Sequence, residues 1–156
     1  LIAEKRERTV KRIGIISDTH GTLHAAVFRA FRGVDCILHA GDIGGDRILS
    51  SLRTLAPVTA VRGNTDTDPW ARTLPLRETV QVEDALIYLV HRPRDLDIDP
   101  VAAGVSVVVY GHTHKAATDT EDGVLFMNPG SIRSHPYSIG VLEVDGTDVT
   151  PTILPL

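Results

Sequence analysis

Ile13-Gly14-Ile15-Ile16-Ser17 runs directly into Asp18-Thr19-His20-Gly21. A short apolar run that gives way to polar residues predicts a buried strand. Thr22 to Phe31 then places Leu23, Val27, Ala30 and Phe31 at helical spacing, with Thr22 as the expected cap. Asp35 to His39 reads as a second strand and Asp46 to Leu55 as a second helix, with Ile48, Leu49, Leu52 and Leu55 on one side. Val58 to Val61 reads as a third strand. The order β-α-β-α-β predicts a parallel sheet with helices packed on it.

Beyond residue 77 the pattern changes. Glu78–Val82 and Ala85–Val90 predict a hairpin around Glu83-Asp84. Asp99–Ala103 predicts a helical turn and Val105–Tyr110 a buried strand. Further strands are expected at Gly123–Met127, Ser138–Val144 and Val149–Leu154, the last two joined at Asp145-Gly146. The whole reads as one α/β unit with a mixed or second sheet added. Residues 1–11 form a charged tail and 12–156 one domain. Glu4-Lys5-Arg6-Glu7-Arg8 leads into no apolar signal core, so no export signal is expected.

Composition narrows the function. With 156 residues the chain can bury a core without disulfides. Lys and Arg total 16 against 20 Asp and Glu, a net charge of -4, which argues against extended nucleic-acid binding. No apolar stretch approaches the roughly 20 residues of a membrane helix, so no membrane span is expected. The single cysteine, Cys36, fits a reducing, cytoplasmic setting and excludes a cysteine-built zinc cluster.

Polar residues gather just after the apolar strands: Asp18 and His20, Asp42, Asn64 and Asp66, His91, His112 and His114, then Asn128. In open α/β sheets the carboxyl ends of the strands form the ligand site. Asp, His and Asn are the oxygen and nitrogen donors that hold borderline divalent ions. Asp18 and His20 are two apart, as are His112 and His114, so on a strand each pair would point one way. Asp18, His20, Asp42, Asn64, His91, His112 and His114 are too many ligands for one zinc-like ion. They suit two ions sharing a carboxylate, a centre that activates water and clamps phosphoryl oxygens.

Asp18-x-His20, Gly41-Asp42, Gly63-Asn64-x-Asp66, His91 and Gly111-His112-Thr113-His114 together resemble the calcineurin-like metallophosphoesterases. Asn128-Pro129-Gly130-Ser131 and the small size resemble their compact bacterial and archaeal phosphodiesterase branch. The resemblance implies an α/β fold, a four-layer α/β/β/α sandwich of two mixed β-sheets flanked by helices. It places Asp18, His20 and His114 on one metal and Asn64, His91 and His112 on the other, with Asp42 bridging. It implies two divalent ions, Mn²⁺ foremost, with Ni²⁺, Fe²⁺ or Zn²⁺ as alternatives. The expected reaction is hydrolysis of a small phosphodiester, a metal-bridging hydroxide attacking phosphorus in line. Asp42, Asn64, His91 and Asp66 form the candidate catalytic set. Relatives include dimers and tetramers, so a homo-oligomer is among the expectations.

Two departures stand out. The family usually has glycine after the histidine at His91; here Arg92-Pro93 follows, and Arg92 becomes a candidate phosphate contact. Larger members carry Gly-Asn-His-Glu where this chain has Gly63-Asn64-Thr65-Asp66, so their acid histidine is absent. Good leaving groups should then react best. Asp66 could orient a ligand, serve as an acid or close the turn. Arg133 and His24 are further candidates for substrate binding. His39 is expected to pack beneath the site, and Asn128 and Gly130 to shape a turn under His112 and His114. The alternative is a non-enzymatic, protein-binding scaffold with a vestigial metal site, the role of a retromer subunit on the same fold.

Overall fold

The computed structural model describes residues 9–156. The expected charged arm lies, for residues 1–8, outside the described residues. Strand β1 (Lys11–Ile16) is followed by helix α1 (Ala25–Ala30), β2 (Cys36–His39), α2 (Asp46–Arg53) and β3 (Val58–Ala60). These are the five elements the opening stretch predicts. Then come β4 (Arg77–Val82), β5 (Ala85–Val90), β6 (Val107–Val109), β7 (Ala117–Glu121), β8 (Val124–Asn128), β9 (Ser138–Asp145) and β10 (Asp148–Pro155).

The strands form two five-stranded sheets, ordered β10-β9-β1-β2-β3 and β4-β5-β6-β8-β7. Both are mixed. β1 pairs parallel with β2 but antiparallel with β9, and β6 pairs parallel with β5 and β8 while β4 and β7 run antiparallel at the edges. Strand alternation sorts the core into layers. Ile13 and Ile15 of β1 join Leu38, Ile87, Leu89, Val107, Val109 and Leu142 between the sheets. Ile16 turns the other way, packing with Val27, Phe31, Ile48, Leu49 and Leu52 beneath the two helices. A third cluster, Tyr88, Val90, Val105, Val108 and Val124, lies on the far face of the second sheet.

That third cluster is covered by the segment after β5, with Leu96 packed on it. Among the described residues this outer layer is a 3-10 turn at Pro93–Asp95 and the expected helical turn, closed by Ala103 N–H donating to Asp99 O at 3.0 Å, rather than a long helix. Prolines 93 and 100 and Gly104 keep the segment short and broken.

Several boundaries move. Thr22 is not the cap of α1: its N–H donates to Thr19 O in a turn, and His24 stands at the helix start. β7 carries no apolar alternation to announce it. Its Thr118, Asp119, Thr120 and Glu121 are exposed on an edge strand, paired only with β8. Trp70 lies in a 3-10 turn (Pro69–Thr73) and packs against the helix-side core.

Candidate metal centre

The loops after β1, β2, β3, β5 and β6 converge at the carboxyl ends of their strands. Two groups of three side chains result, Asp18, His20 and His114, and Asp42, His91 and His112; within each, one donor atom per residue lies within 4.8 Å of the others. Asn64 joins the second group, its Oδ1 3.1 Å from His112 Nδ1. All seven candidate ligands thus meet at one edge.

They do not point inward by strand alternation. β1 ends at Ile16 and β6 at Val109, so the i, i+2 argument fails for both pairs. Asp18, His20, Asp42, His112 and His114 instead have positive φ, between 44° and 74°. Non-glycine residues rarely occupy this region, and such strain concentrates at functional sites. His112 and His114 consequently go to different groups. Gly111, between β6 and His112, is needed for close approach: a Cβ there would land on Ser17 Oγ and Asp18 Oδ2.

Asp18 is fully buried, and Oδ2 accepts from Ser17 Oγ at 2.6 Å and from the His112 N–H at 3.0 Å. Oδ1 has no hydrogen-bond partner, yet His114, His20 and His91 Nε2 stand 3.2, 3.7 and 3.9 Å away. Asp42 Oδ1 accepts from the Thr65 N–H at 3.0 Å, and Oδ2 lies 3.2 Å from His91 Nε2 and 3.7 Å from His20 Nε2. This oxygen therefore touches one histidine from each group. Burial would raise the Asp42 carboxyl, but its contact with His91 and the Thr65 N–H hold it well below the usual carboxylate range. Burial would lower His91, but Asp42 and Asp18 outweigh it and raise it.

The histidines are aimed from behind. His91 Nδ1 lies 2.7 Å from Ala40 O, so it must donate, and Nε2 of the neutral ring keeps a lone pair toward the cluster. His91 Nε2 is the cluster's other buried atom without a hydrogen bond. His114 Nδ1 is 2.6 Å from Ser134 Oγ, while its Nε2 faces His20 Nε2 at 3.3 Å. Lone pairs and carboxylate oxygens facing one another at these distances repel unless a proton or a metal ion stands between them. The residues present therefore fit divalent metal.

His39 lies beneath the site, as expected. Gly41 N–H donates to its Nδ1 at 3.1 Å, which leaves the proton on Nε2, donated to Thr19 Oγ1 at 3.0 Å; that hydroxyl donates to Ile43 O at 2.7 Å. Burial, then the neighbouring His91, pushes His39 down to about 3 from 6.5. An unfolded histidine takes up a proton that the folded one refuses. The stability His39 contributes is present above pH 6.5 and is lost as pH falls toward 3. Metal-free protein should lose on the order of 5 kcal/mol to this group across that window. Urea unfolding against pH checks it, the slope being shallower in His39→Gln.

Asp66 is a clamp. Its oxygens accept from the N–H groups of Ile43, Gly44 and Gly63 at 2.9–3.2 Å, tying the loop of Asp42 to that of Asn64. Every hydrogen bond it makes is to backbone, which favours the turn-closing reading over the acid. Asn128 Nδ2 donates to Gly111 O and Thr113 Oγ1, and its Oδ1 accepts from the Gly130 N–H, the turn expected under His112 and His114. Ser131 Oγ donates to Asp18 O at 2.8 Å.

The three candidate substrate residues are placed less centrally. Arg92 Nε donates to Asp95 Oδ2 at 2.7 Å, so a phosphate would compete with that carboxylate. His24 packs edge-on against Tyr137, ring centroids 4.7 Å apart. Arg133 is exposed. Sequence reasoning missed Ser17 and Ser134, since an isolated serine carries no spacing signal; for Ser17 the only hint is adjacency to Asp18.

The calcineurin-like phosphoesterase superfamily domain matches residues 12–147. A probable metallophosphoesterase of Methanothermobacter thermautotrophicus is 36% identical over 157 residues, covering 91% of each chain. Among solved structures, an archaeal phosphodiesterase superposes with TM-score 0.76 at 25% identity, over 92% of this chain and 100% of that one. Vacuolar Protein Sorting 29 of Cryptosporidium parvum shares the fold, with TM-score 0.74 at 18% identity over 94% and 98% of the two chains. With its motif segments meeting at one edge and its family match spanning both sheets, this chain belongs to the calcineurin-like phosphoesterase superfamily.

Proposed function

We propose that the protein is a two-metal phosphodiesterase in which Asp18, His20 and His114 hold one ion, Asn64, His91 and His112 the other, and Asp42 both. The observation that carries this reading is the position of Asp42 Oδ2, between His91 of one group and His20 of the other. When bound, two divalent ions lower the pKa of water and neutralise charge that develops on phosphoryl oxygens. The chain supplies their scaffold. Ser17 and the His112 N–H fix the Asp18 carboxylate so that Oδ1 alone faces the cluster. Ala40 O sets the His91 tautomer, leaving its Nε2 lone pair inward, and Ser134 holds the His114 ring with Nε2 toward the cluster. Asp66 holds the Asp42 and Asn64 loops together and is a positioning residue.

Diester preference rests on Thr65, where larger relatives carry a histidine, and on the likeness to an archaeal phosphodiesterase. With no such side chain to protonate a poor leaving group, aryl diesters should react best. Mn²⁺ suits this oxygen and nitrogen donor set. Arg92 and Arg133 are the cations we assign to the substrate's phosphate, and His24 borders the same side through Tyr137. A cytoplasmic setting is part of the proposal; among the described residues no helix is long and apolar enough to cross a membrane.

The test is hydrolysis of bis(4-nitrophenyl) phosphate beside 4-nitrophenyl phosphate, on metal-stripped protein and after Mn²⁺ reloading. Faster Mn²⁺-dependent diester turnover is expected. No turnover of either ester with two ions bound would transfer the weight to the scaffold reading. Ser134→Ala should weaken metal binding about 10–100-fold by freeing the His114 ring. Metal titration of the stripped protein checks this, and unchanged affinity would remove Ser134 from the orienting set.

A further inference from the structure

Beyond His112 and His114 the site opens into a cleft of about 780 Å³. Its wall includes Lys115, His135, Pro136, Tyr137, Ile153 and Pro155. A metal-held phosphate needs only a small part of that volume, so the remainder is sized for an organic group attached to phosphorus.

The serine and threonine hydroxyls of the wall are already engaged, which leaves the Tyr137 hydroxyl, the His135 ring nitrogens and Lys115 as its polar side-chain groups besides the two ligand histidines. Ser134 Oγ is committed to His114, and Ser138 Oγ donates to Pro129 O at 2.7 Å. Thr113 Oγ1 already accepts from Asn128 Nδ2 at 3.0 Å. No carboxylate lines the cleft among the described residues, although the chain carries a net charge of -4. Among the described residues the exposed Lys115 is the only Lys or Arg in the lining. Rings and aliphatic surface make up much of the rest. His135 is exposed and inclined 52° to Tyr137, with ring centroids 4.4 Å apart. Tyr137 is in turn braced by His24, at 4.7 Å and 80°. Such a wall selects by shape and π-face rather than by a donor and acceptor pattern.

We infer that this cleft binds a flat aromatic group esterified to the substrate's phosphorus, packed against His135 and Tyr137 beside the metal centre, with Lys115 facing the phosphate's negative charge. The inference rests on the two-metal reading above and adds the substrate class. It makes His135 and Tyr137 specificity-determining and leaves His112 and His114 their metal role. A wall of rings implies tolerance among aromatic groups, so differently substituted aryl esters should all be accepted.

The experiment measures dissociation constants of phenyl phosphate and methyl phosphate on Zn²⁺-loaded protein, following the His135 and Tyr137 ring protons by NMR. Hydrolysis of bis(4-nitrophenyl) phosphate is measured on the same preparations loaded with Mn²⁺. Phenyl phosphate should bind about tenfold more tightly than methyl phosphate and shift both rings. His135→Ala and Tyr137→Ala should each bring the ratio toward one, while Tyr137→Phe retains it. Diester turnover together with a phenyl-to-methyl ratio near one, or a ratio that neither alanine variant changes, overturns the cleft assignment alone. Absence of both diester turnover and phosphate-ester binding overturns the two-metal reading and the cleft with it.

Discussion

Asp42→Ala is expected to lower kcat/KM for an aryl phosphodiester by about 10³-fold or more, or roughly 4 kcal/mol of transition-state stabilisation. The reason is positional. Asp42 Oδ2 reaches a histidine in each ligand group, 3.2 Å from His91 and 3.7 Å from His20, whereas Asp18 Oδ1 sits close to His114 and is 3.9 Å from His91. Its loss leaves Asp18 as the single carboxylate among the assigned ligands. Metal stoichiometry, read by calorimetric titration of stripped protein, should fall below two. Asp42→Asn separates charge from shape. It can keep the bond from the Thr65 N–H but not the negative charge, so it should fold normally and still lose most activity. Full metal-dependent activity in Asp42→Ala would sink the shared-carboxylate mechanism.

Gly63→Ala should be nearly as damaging, though it adds only a methyl group. A Cβ at this position would fall on the Asp42 carboxyl and backbone nitrogen. Neither can yield freely, because Asp42 Oδ1 is tied to Thr65 and the Gly63 N–H is held by Asp66 at 2.9 Å. Overpacking of this kind costs about 1–3 kcal/mol of stability. Displacing Asp42 by about an ångström should cost about 10²-fold in activity beyond any unfolding. Gly33→Ala is the control. Unlike Gly63, it sits at positive φ, +80°, but a Cβ there meets nothing within 4 Å. It should cost about 1 kcal/mol through backbone strain and leave kcat intact. Equal kinetic effects from the two substitutions would show that strain in general, and not the Asp42 contact, governs the site.

How far the sequence discloses this molecule depends on where the information lies. β1, β2, β5 and β9 are apolar runs, and their burial follows from composition. β7 is polar at four of its five positions, because an edge strand exposed on the surface needs no apolar face. The ligand set is legible because Asp, His and Asn recur directly after strands. The way they reach one another is not. Left-handed backbone at Asp18 and His20 is set by the hydrogen bonds of their N–H groups to Gly41 O and Asp42 O, contacts across more than twenty residues. Ser134 and Ser131 become informative only once folding sets them against His114 and Asp18. The His135-Pro136-Tyr137 run did carry a signal, three rings in succession in an otherwise polar loop.

The central place of β1 has a consequence for how the chain comes to be folded. β1 is held on one side by β2, close in sequence, and on the other by β9, where Ile13 faces Leu142 and Lys11 faces Val144. Ser131 reaches back in the same way to Asp18. Non-local pairings of this span slow folding, because the long loop must close before the contacts reward it. During synthesis the first three strands can emerge with β1 still an open edge, a template for wrong pairing until residues 138–145 arrive. The Ser131 bond to Asp18 likewise waits until most of the domain has left the ribosome. Chains interrupted before β9 should be captured by chaperones or aggregate rather than accumulate as partial enzymes.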